Sequence, residues 1–220
     1  MHVYPSRRTA KYPDWVYDVT LKTARTATLC GERCLDPSSI ADGGGIPFPI
    51  PKNGLEVVFN SNYSYQPPWR STGNAIVTTA GGDFAINQLT FDWVKLYWMK
   101  AADKPVGSYF DKSGGAAWCF GGTYEAPPRI AGQLVVGCAF NKALAADSYL
   151  YIPGQRRVRK APEVGFYDQP AQGSDGLLPS QARDGMYMSG TEEWYNHTLV
   201  GQQELFIPYN NYALMNPAVT

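Results

Sequence analysis

The period of hydrophobic and polar positions changes once along this chain. Between Asp14 and Leu29, "DWVYDVTLKTARTATL", Trp15, Val19, Lys22 and Thr26 recur at helical spacing. Asp14 can cap the first turn, so the pattern predicts one helix that ends near Cys30-Gly31. Asp36 to Pro51 reads as a loop: "DGGGIPFPIP" drives each residue before a proline toward extended backbone, and Phe48 and Ile50 can lie in a groove without ladder bonds. From Leu55 onward the signal is alternation. Leu55 to Tyr65, Ala75 to Thr79, Asp83 to Leu89, Thr90 to Met99, Ala117 to Tyr124, Ile130 to Phe140, Ser148 to Ile152, Arg156 to Ala161 and Gln203 to Ile207 each read as a strand. "TAGGDF" supplies a hairpin turn. Short links without interposed helices predict a mainly β fold, an antiparallel meander forming a long curved sheet, with one N-terminal helix and long loops. Asp168 to Asp184, "DQPAQGSDGLLPSQARD", reads as a functional loop or lid.

Within Thr90 to Met99, a strand would place Phe91, Trp93, Lys95, Tyr97 and Met99 on one face and Asp92, Val94, Leu96 and Trp98 on the other. Both faces are largely apolar. Such a strand is covered on both sides, either by ordinary core packing or with one face lining a cavity.

Composition narrows the function classes. The 220 residues, 44% of them apolar, suffice for one sizeable core, and residues 1–220 are read as a single domain. Nineteen cations balance nineteen anions, so no general nucleic-acid bias exists and any electrostatic attraction is local. No apolar run approaches the roughly 18 residues of a membrane-crossing helix, and Met1 is followed by His2, Pro5, Arg7 and Arg8 instead of the apolar core of an export signal. Of the two histidines, His2 and His197, only His197 could serve a nucleophilic triad. Neither a "GxSxG" elbow nor a nucleotide-cradling glycine motif is present. Asp83, Asp92, Asp175 and Asp184 are available for acid-base work but read more simply as solvated residues. The chemistry requires no enzyme, cofactor or metal.

Four cysteines allow three pairings. A hairpin symmetric about Pro128 sets Cys119 opposite Cys138 and Tyr124 opposite Gln133; Cys30 and Cys34 in "CGERC" are a local pair. Two disulfides, four free thiols and a zinc site all remain open, although the second pair is spaced too widely for an ordinary zinc knuckle. The densest charge run is "YLYIPGQRRVRK", Tyr149 to Lys160. With Pro153-Gly154 as the turn, Ile152 faces Gln155, Tyr151 faces Arg156, Leu150 faces Arg157 and Tyr149 faces Val158. Arg157 and Arg159 then share one side, and Arg156 and Lys160 the other. That division argues against a nucleic-acid stripe and leaves a solvated hairpin or an anchor for an anionic head group or partner.

The segment "SYLYIPGQRRVRKAPEVGFYDQPAQGSDG" resembles the domain of unknown function family 1329, exported proteobacterial proteins that look like relatives of the lipoprotein-sorting carriers of the LolA and LolB types. The matching positions are Tyr149, Tyr151, Pro153, Arg156, Arg157, Val158 and Arg159, then Gly173, Ser174 and Asp175. Blocks at Val3 to Asp18, Gly43 to Asn60 and Leu199 to Leu214 match as well. The chain starts and stops inside the family pattern, and its four cysteines are not part of it. The resemblance implies a half-open barrel with an apolar concave face, in the periplasm or at the inner face of the outer membrane. It implies a lipid or other hydrophobic small molecule as ligand, and association with exporters of the resistance-nodulation-division type. Phe91, Trp93, Tyr97, Trp98, Met99, Phe48 and Ile50 are the expected cavity residues. Arg156, Arg157, Arg159, Ser174 and Asp175 are the expected rim or docking residues. The competing readings are a structural component of an envelope complex, and a hydrolase using Asp175 and His197.

Overall fold

A computed structural model describes Pro5 and residues 11–31, 34–78, 81–102, 116–140, 147–161, 169–170, 179–180 and 195–207. Two compact units are distinguished, one of Met1–Lys11 with Val200–Thr220 and one of Tyr12–Leu199. In the first, Val200 to Ile207 is exposed and carries no strand, so the strand expected at Gln203 to Ile207 does not form. All the elements below belong to the second.

The helix α1, Asp14–Thr26, follows an N-cap at Pro13 whose side chain cannot cap, and Asp14 becomes its first residue. Its inward face is Val16, Thr20 and Thr23, rotated from the face expected at Trp15, Val19, Lys22 and Thr26. Hydrogen bonding explains the difference. Thr20 Oγ1 donates to Val16 O at 2.7 Å and accepts from Ile46 N at 3.1 Å, and Thr23 Oγ1 donates to Gly44 O at 2.7 Å. Two polar residues are thereby buried at little cost, because each finds a partner in the glycine loop. Gly43, Gly44 and Gly45 all have positive φ, and a β-carbon on Gly45 would collide with the Thr23 side chain.

Leu55 to Tyr65 is not a strand. Gly54–Asn62 forms the helix α2, started by Asn53, whose Oδ1 accepts from Glu56 N at 2.9 Å while Glu56 Oε2 accepts from Lys52 N at 2.6 Å. The arrangement is similar to a capping box, with Glu56 reaching the residue before the N-cap, and it overrides the strand-like run of Val and Phe. Leu55, Val58 and Phe59 turn into the core.

Six strands follow in one open antiparallel sheet, ordered β1-β2-β3-β4-β5-β6. They are β1 Trp69–Thr78, β2 Phe84–Val94, β3 Ala116–Ala126, β4 Leu134–Phe140, β5 Asp147–Ile152 and β6 Arg157–Ala161. The fold is therefore mainly β, as the alternation predicts, with three α-helices among the described residues in place of the single one expected. A separate two-residue pair joins β7 Gln169–Pro170 to β8 Pro179–Ser180. The expected strands at Asp83 to Leu89 and Thr90 to Met99 fuse into β2, which stops at Val94, and Leu96–Ala102 forms the helix α3.

The β2–α3 junction joins the helices to the sheet. Tyr97 and Trp98 are almost fully buried among Val16, Leu35, Ile40, Leu55, Phe59, Tyr63, Ala117, Trp118 and Ala139. Tyr97 Oη donates to Gly44 O at 2.6 Å and Gly45 O at 2.9 Å, and Trp98 Nε1 donates to Tyr63 O at 2.9 Å. Lys95, 3% exposed, sends Nζ to Asn62 O at 3.1 Å and Ser64 O at 2.8 Å, at and just past the C-terminus of α2, where carbonyls lack helical partners. Burial lowers the Lys95 pKa from 10.5 to about 8 and raises that of Tyr97.

Two outcomes follow from this junction. Replacing Tyr97 by Phe takes the hydroxyl donor from Gly45 O and leaves Gly44 O with Thr23 Oγ1, and lowers the unfolding free energy by about 1–3 kcal/mol, measured by urea denaturation. For Lys95 the unfolded chain holds the extra proton between about pH 8 and 10.5. The penalty of burying the charge is full below pH 8 and is relieved as pH rises through that window. Wild type should gain stability relative to Lys95→Met across the window, by on the order of 3 kcal/mol. An unchanged difference between the two proteins at pH 7.5 and pH 10.5 would refute this.

Candidate functional site

Alternation within a strand, combined with the cross-strand register, sorts every strand residue onto one of two faces. Trp69 pairs with Trp93, Trp93 with Phe120, Phe120 with Gly137 and Gly137 with Ser148. The next row on the same face runs Phe91, Gly122, Val135, Leu150 and Arg159. This face is aromatic at its β1–β3 side. Trp93 stacks on Trp118 at 4.7 Å between ring centroids, Phe91 on Phe120 at 5.9 Å, and Trp69 lies near-parallel to Trp93 at 6.5 Å. Trp118 is buried, Phe91, Trp93 and Phe120 are half-buried, and Trp69 is 38% exposed.

Two glycines make room for the rings. A β-carbon on Gly122 would stand 3.1 Å from the Phe91 ring and 3.2 Å from Val135, and one on Gly137 would stand 2.6 Å from Phe120 and 2.7 Å from Ser148 Oγ. The rings of β2 and β3 therefore lean over bare backbone on the adjoining strand.

The opposite face is different in kind. Arg70 and Asp92 form a bidentate pair at 2.6 and 3.0 Å, and hydrogen bonding from the guanidinium holds the Asp92 carboxyl below its ordinary pKa. Thr72, Thr90 and Glu125 continue a polar ladder, and Lys160 meets Asp147 at 2.5 Å. Beside them Leu134, Val136, Tyr149 and Val158 are exposed. Trp69 and Arg70 of β1, Asp92 to Val94 of β2 and Cys119 to Gly121 of β3 line a shallow, open depression of about 480 Å³. Among the described residues no cluster of three or more His, Cys, Asp or Glu is placed to hold a metal ion.

The whole chain, residues 1–220, matches the family described as "Protein of unknown function (DUF1329)". The chain belongs to that family. It is 33% identical over 223 residues to the uncharacterized protein PA3922 of Pseudomonas aeruginosa, a match that covers 99% of this chain and 46% of that protein. The chain thus spans about half the length of that curated relative. Among solved structures it matches a domain described as an outer membrane lipoprotein-sorting protein from Vibrio parahaemolyticus, with 14% identity and a TM-score of 0.37 over 53% of this chain and 43% of that one. At that level the likeness bears on neither fold nor function, and the open sheet of this DUF1329 member rests on its own strand register.

The residues singled out from the sequence do not all come together in this DUF1329 chain. Phe91 and Trp93 share the aromatic face, but Tyr97 and Trp98 sit in the helical core and Met99 is half-buried on α3, because β2 ends before them. Phe48 packs partly on that core, where its backbone N donates to Asn60 Oδ1 at 2.9 Å, while Ile50 is 85% exposed and in no groove. Trp69, Trp118 and Phe120 lie on that face and are not among the cavity residues expected from the sequence. The i, i+2 spacing of Trp118 and Phe120 in "AAWCFGG" is the signal that marks them.

The basic hairpin keeps its faces but shifts its register by two. A short 3-10 turn, Pro153–Gln155, and left-handed Arg156 lengthen the connection, so Ile152 pairs with Arg157, Leu150 with Arg159 and Tyr149 with Lys160. Arg156 is a turn residue and belongs to neither face. Ser174 and Asp175 lie outside the described residues. Cys119 pairs with Cys138 in the β3–β4 ladder with Cα atoms 4.1 Å apart, and the two are joined as a disulfide, as are Cys30 and Cys34. His197 contributes backbone beside Gly54 at the start of α2.

Replacing Gly137 by Ala tests the ring arrangement. The new methyl group must displace Phe120 or Ser148, so stability should fall by about 1–3 kcal/mol with a changed near-ultraviolet circular dichroism signal from the stacked tryptophans. An unperturbed aromatic signal would contradict the packing described.

Proposed function

We propose that this protein is a non-enzymatic binding or carrier module for a lipid or another hydrophobic molecule, and that the aromatic face of the open sheet receives it. The observation that supports this most is the gathering of Trp69, Phe91, Trp93, Trp118 and Phe120 on one face, where all but Trp118 keep part of their surface uncovered. Removing apolar surface from water contributes roughly 25 cal/mol per Å², so a ligand lying on such a surface needs no covalent chemistry. Apolar sites with few polar groups are the usual form of small-molecule pockets.

The bacterial envelope is the location in keeping with this reading. Both cysteine pairs are joined, and disulfides persist in oxidising compartments such as the periplasm. A second reading, a component that docks to an envelope complex without its own ligand, is favoured by the exposed Leu134, Val136, Tyr149 and Val158 on the opposite face.

Native mass spectrometry of the purified protein, with extraction of bound lipids, tests the first reading. A co-purified lipophile is expected. The double substitution Trp93→Ala, Phe120→Ala should weaken binding of an added hydrophobic fluorophore at least about tenfold. A protein that carries no lipophile and whose probe binding is untouched by that substitution would overturn it in favour of the docking reading.

A further inference from the structure

We infer that the aromatic face takes an amphiphile with an oxyanion head group on a single alkyl chain, the head held by Arg157 and Arg159 and the chain laid across the sheet toward Phe91 and Trp93. This rests on the hydrophobic-ligand reading above and adds the charge and direction of the ligand.

The argument is the distribution of charge. The six strands carry seven charged residues: Arg70, Asp92, Glu125, Asp147, Arg157, Arg159 and Lys160. Register places five of them on the face opposite the rings, where Arg70 pairs with Asp92, Lys160 with Asp147, and Glu125 accepts from Thr90 at 2.6 Å. Only Arg157 and Arg159 stand on the aromatic face, through Ile152↔Arg157 and Leu150↔Arg159. Neither has an ion-pair partner among the described residues. The aromatic face of the strands thus holds two cations and no carboxylate, both at its β6 edge.

The surface leading away from them grades from charge to aliphatic to aromatic: Arg159, Leu150, Val135, the bare backbone of Gly122, then Phe91. At about 4.8 Å per strand, β6 and β2 are roughly 19 Å apart, a distance an extended long acyl chain can span. Two arginines at alternate positions of one strand stand roughly 7 Å apart, close enough for both forks to reach one carboxylate or phosphate. Their stems can lie on Leu150 and Ile152 while an apolar wall on one side strengthens the attraction. A single strand of nucleic acid would need cations along its whole path, and this face has them at one end only.

The probes are dodecanoate, dodecyl phosphate, uncharged dodecanol and an oligothymidine, titrated by calorimetry at low salt below micelle concentrations. Wild type should bind at least one of the two anions about tenfold more tightly than dodecanol. The exposed double substitution R157Q/R159Q should bring the anion down to the affinity of dodecanol and leave dodecanol itself unchanged. K160Q, on the opposite face, should leave the preference intact. The preferred anion identifies the head group as carboxylate or phosphate. Dodecanol bound as tightly as both anions, a preference that survives R157Q/R159Q, an equal loss in K160Q, or tighter binding of the oligothymidine would overturn the inference and leave the hydrophobic-ligand reading standing. If dodecanol and both anions all fail to bind, that reading falls and the inference falls with it.

Discussion

Three side chains at the β2–α3 junction hold the described fold together. Lys95, Tyr97 and Trp98 each donate hydrogen bonds to backbone carbonyls that no regular structure satisfies: those of Asn62 and Ser64, of Gly44 and Gly45, and of Tyr63. A glycine loop and the C-terminal end of α2 are thereby fastened to the strand that carries Phe91 and Trp93. Unsatisfied carbonyls in a buried place are costly, so these side chains are constrained more strongly than their apolar surface alone would require. Lys95 shows the other side of the constraint, for its buried charge is tolerated at a cost in return for closing the α2 terminus.

The sheet that leaves this junction is asymmetric. One face concentrates rings and aliphatic side chains and relies on Gly122 and Gly137 to let the rings lie down. The other neutralises its charges within its own ladder, in the Arg70–Asp92 and Lys160–Asp147 pairs. A face that pairs its charges internally suits contact with water. A face whose two cations have no such partner has an attraction left for something outside the strands. Carrier and docking readings assign different faces to function, the aromatic one to a ligand and the opposite one, with Leu134, Val136, Tyr149 and Val158, to a partner.

Much of the meander was legible from alternation, because a strand with unlike faces must repeat every two residues. The stretches at Leu55 and at Lys95 depart from the expected strands for one reason: a short apolar run rich in Val, Phe, Tyr and Trp fits either period. In the first, the capping residues Asn53 and Glu56 were a local sign of the helix. In the second, β2 becomes α3 within "VKLYWM" under the influence of carbonyls far away in sequence, which no window of neighbours contains. The face of α1 was missed similarly, since Thr20 and Thr23 are buried only because Gly44 and Ile46 meet them.

By itself the sequence determined which residues of a strand travel together, such as Arg157 with Arg159 and Phe91 with Trp93, because parity along a strand is a property of the backbone. It also set Cys119 opposite Cys138 for a hairpin symmetric about Pro128, and the β3–β4 ladder has that register. Which strand faces join into a common surface was decided only by the tertiary structure. That choice depends on every turn length and bulge between the strands, and a slip of one residue would have moved the two arginines to the charged side of the sheet. The slip at Pro153–Gln155 was two residues, an even number. Parity therefore survived, and the cations stand on the same face as the rings, at the β6 edge of the sheet.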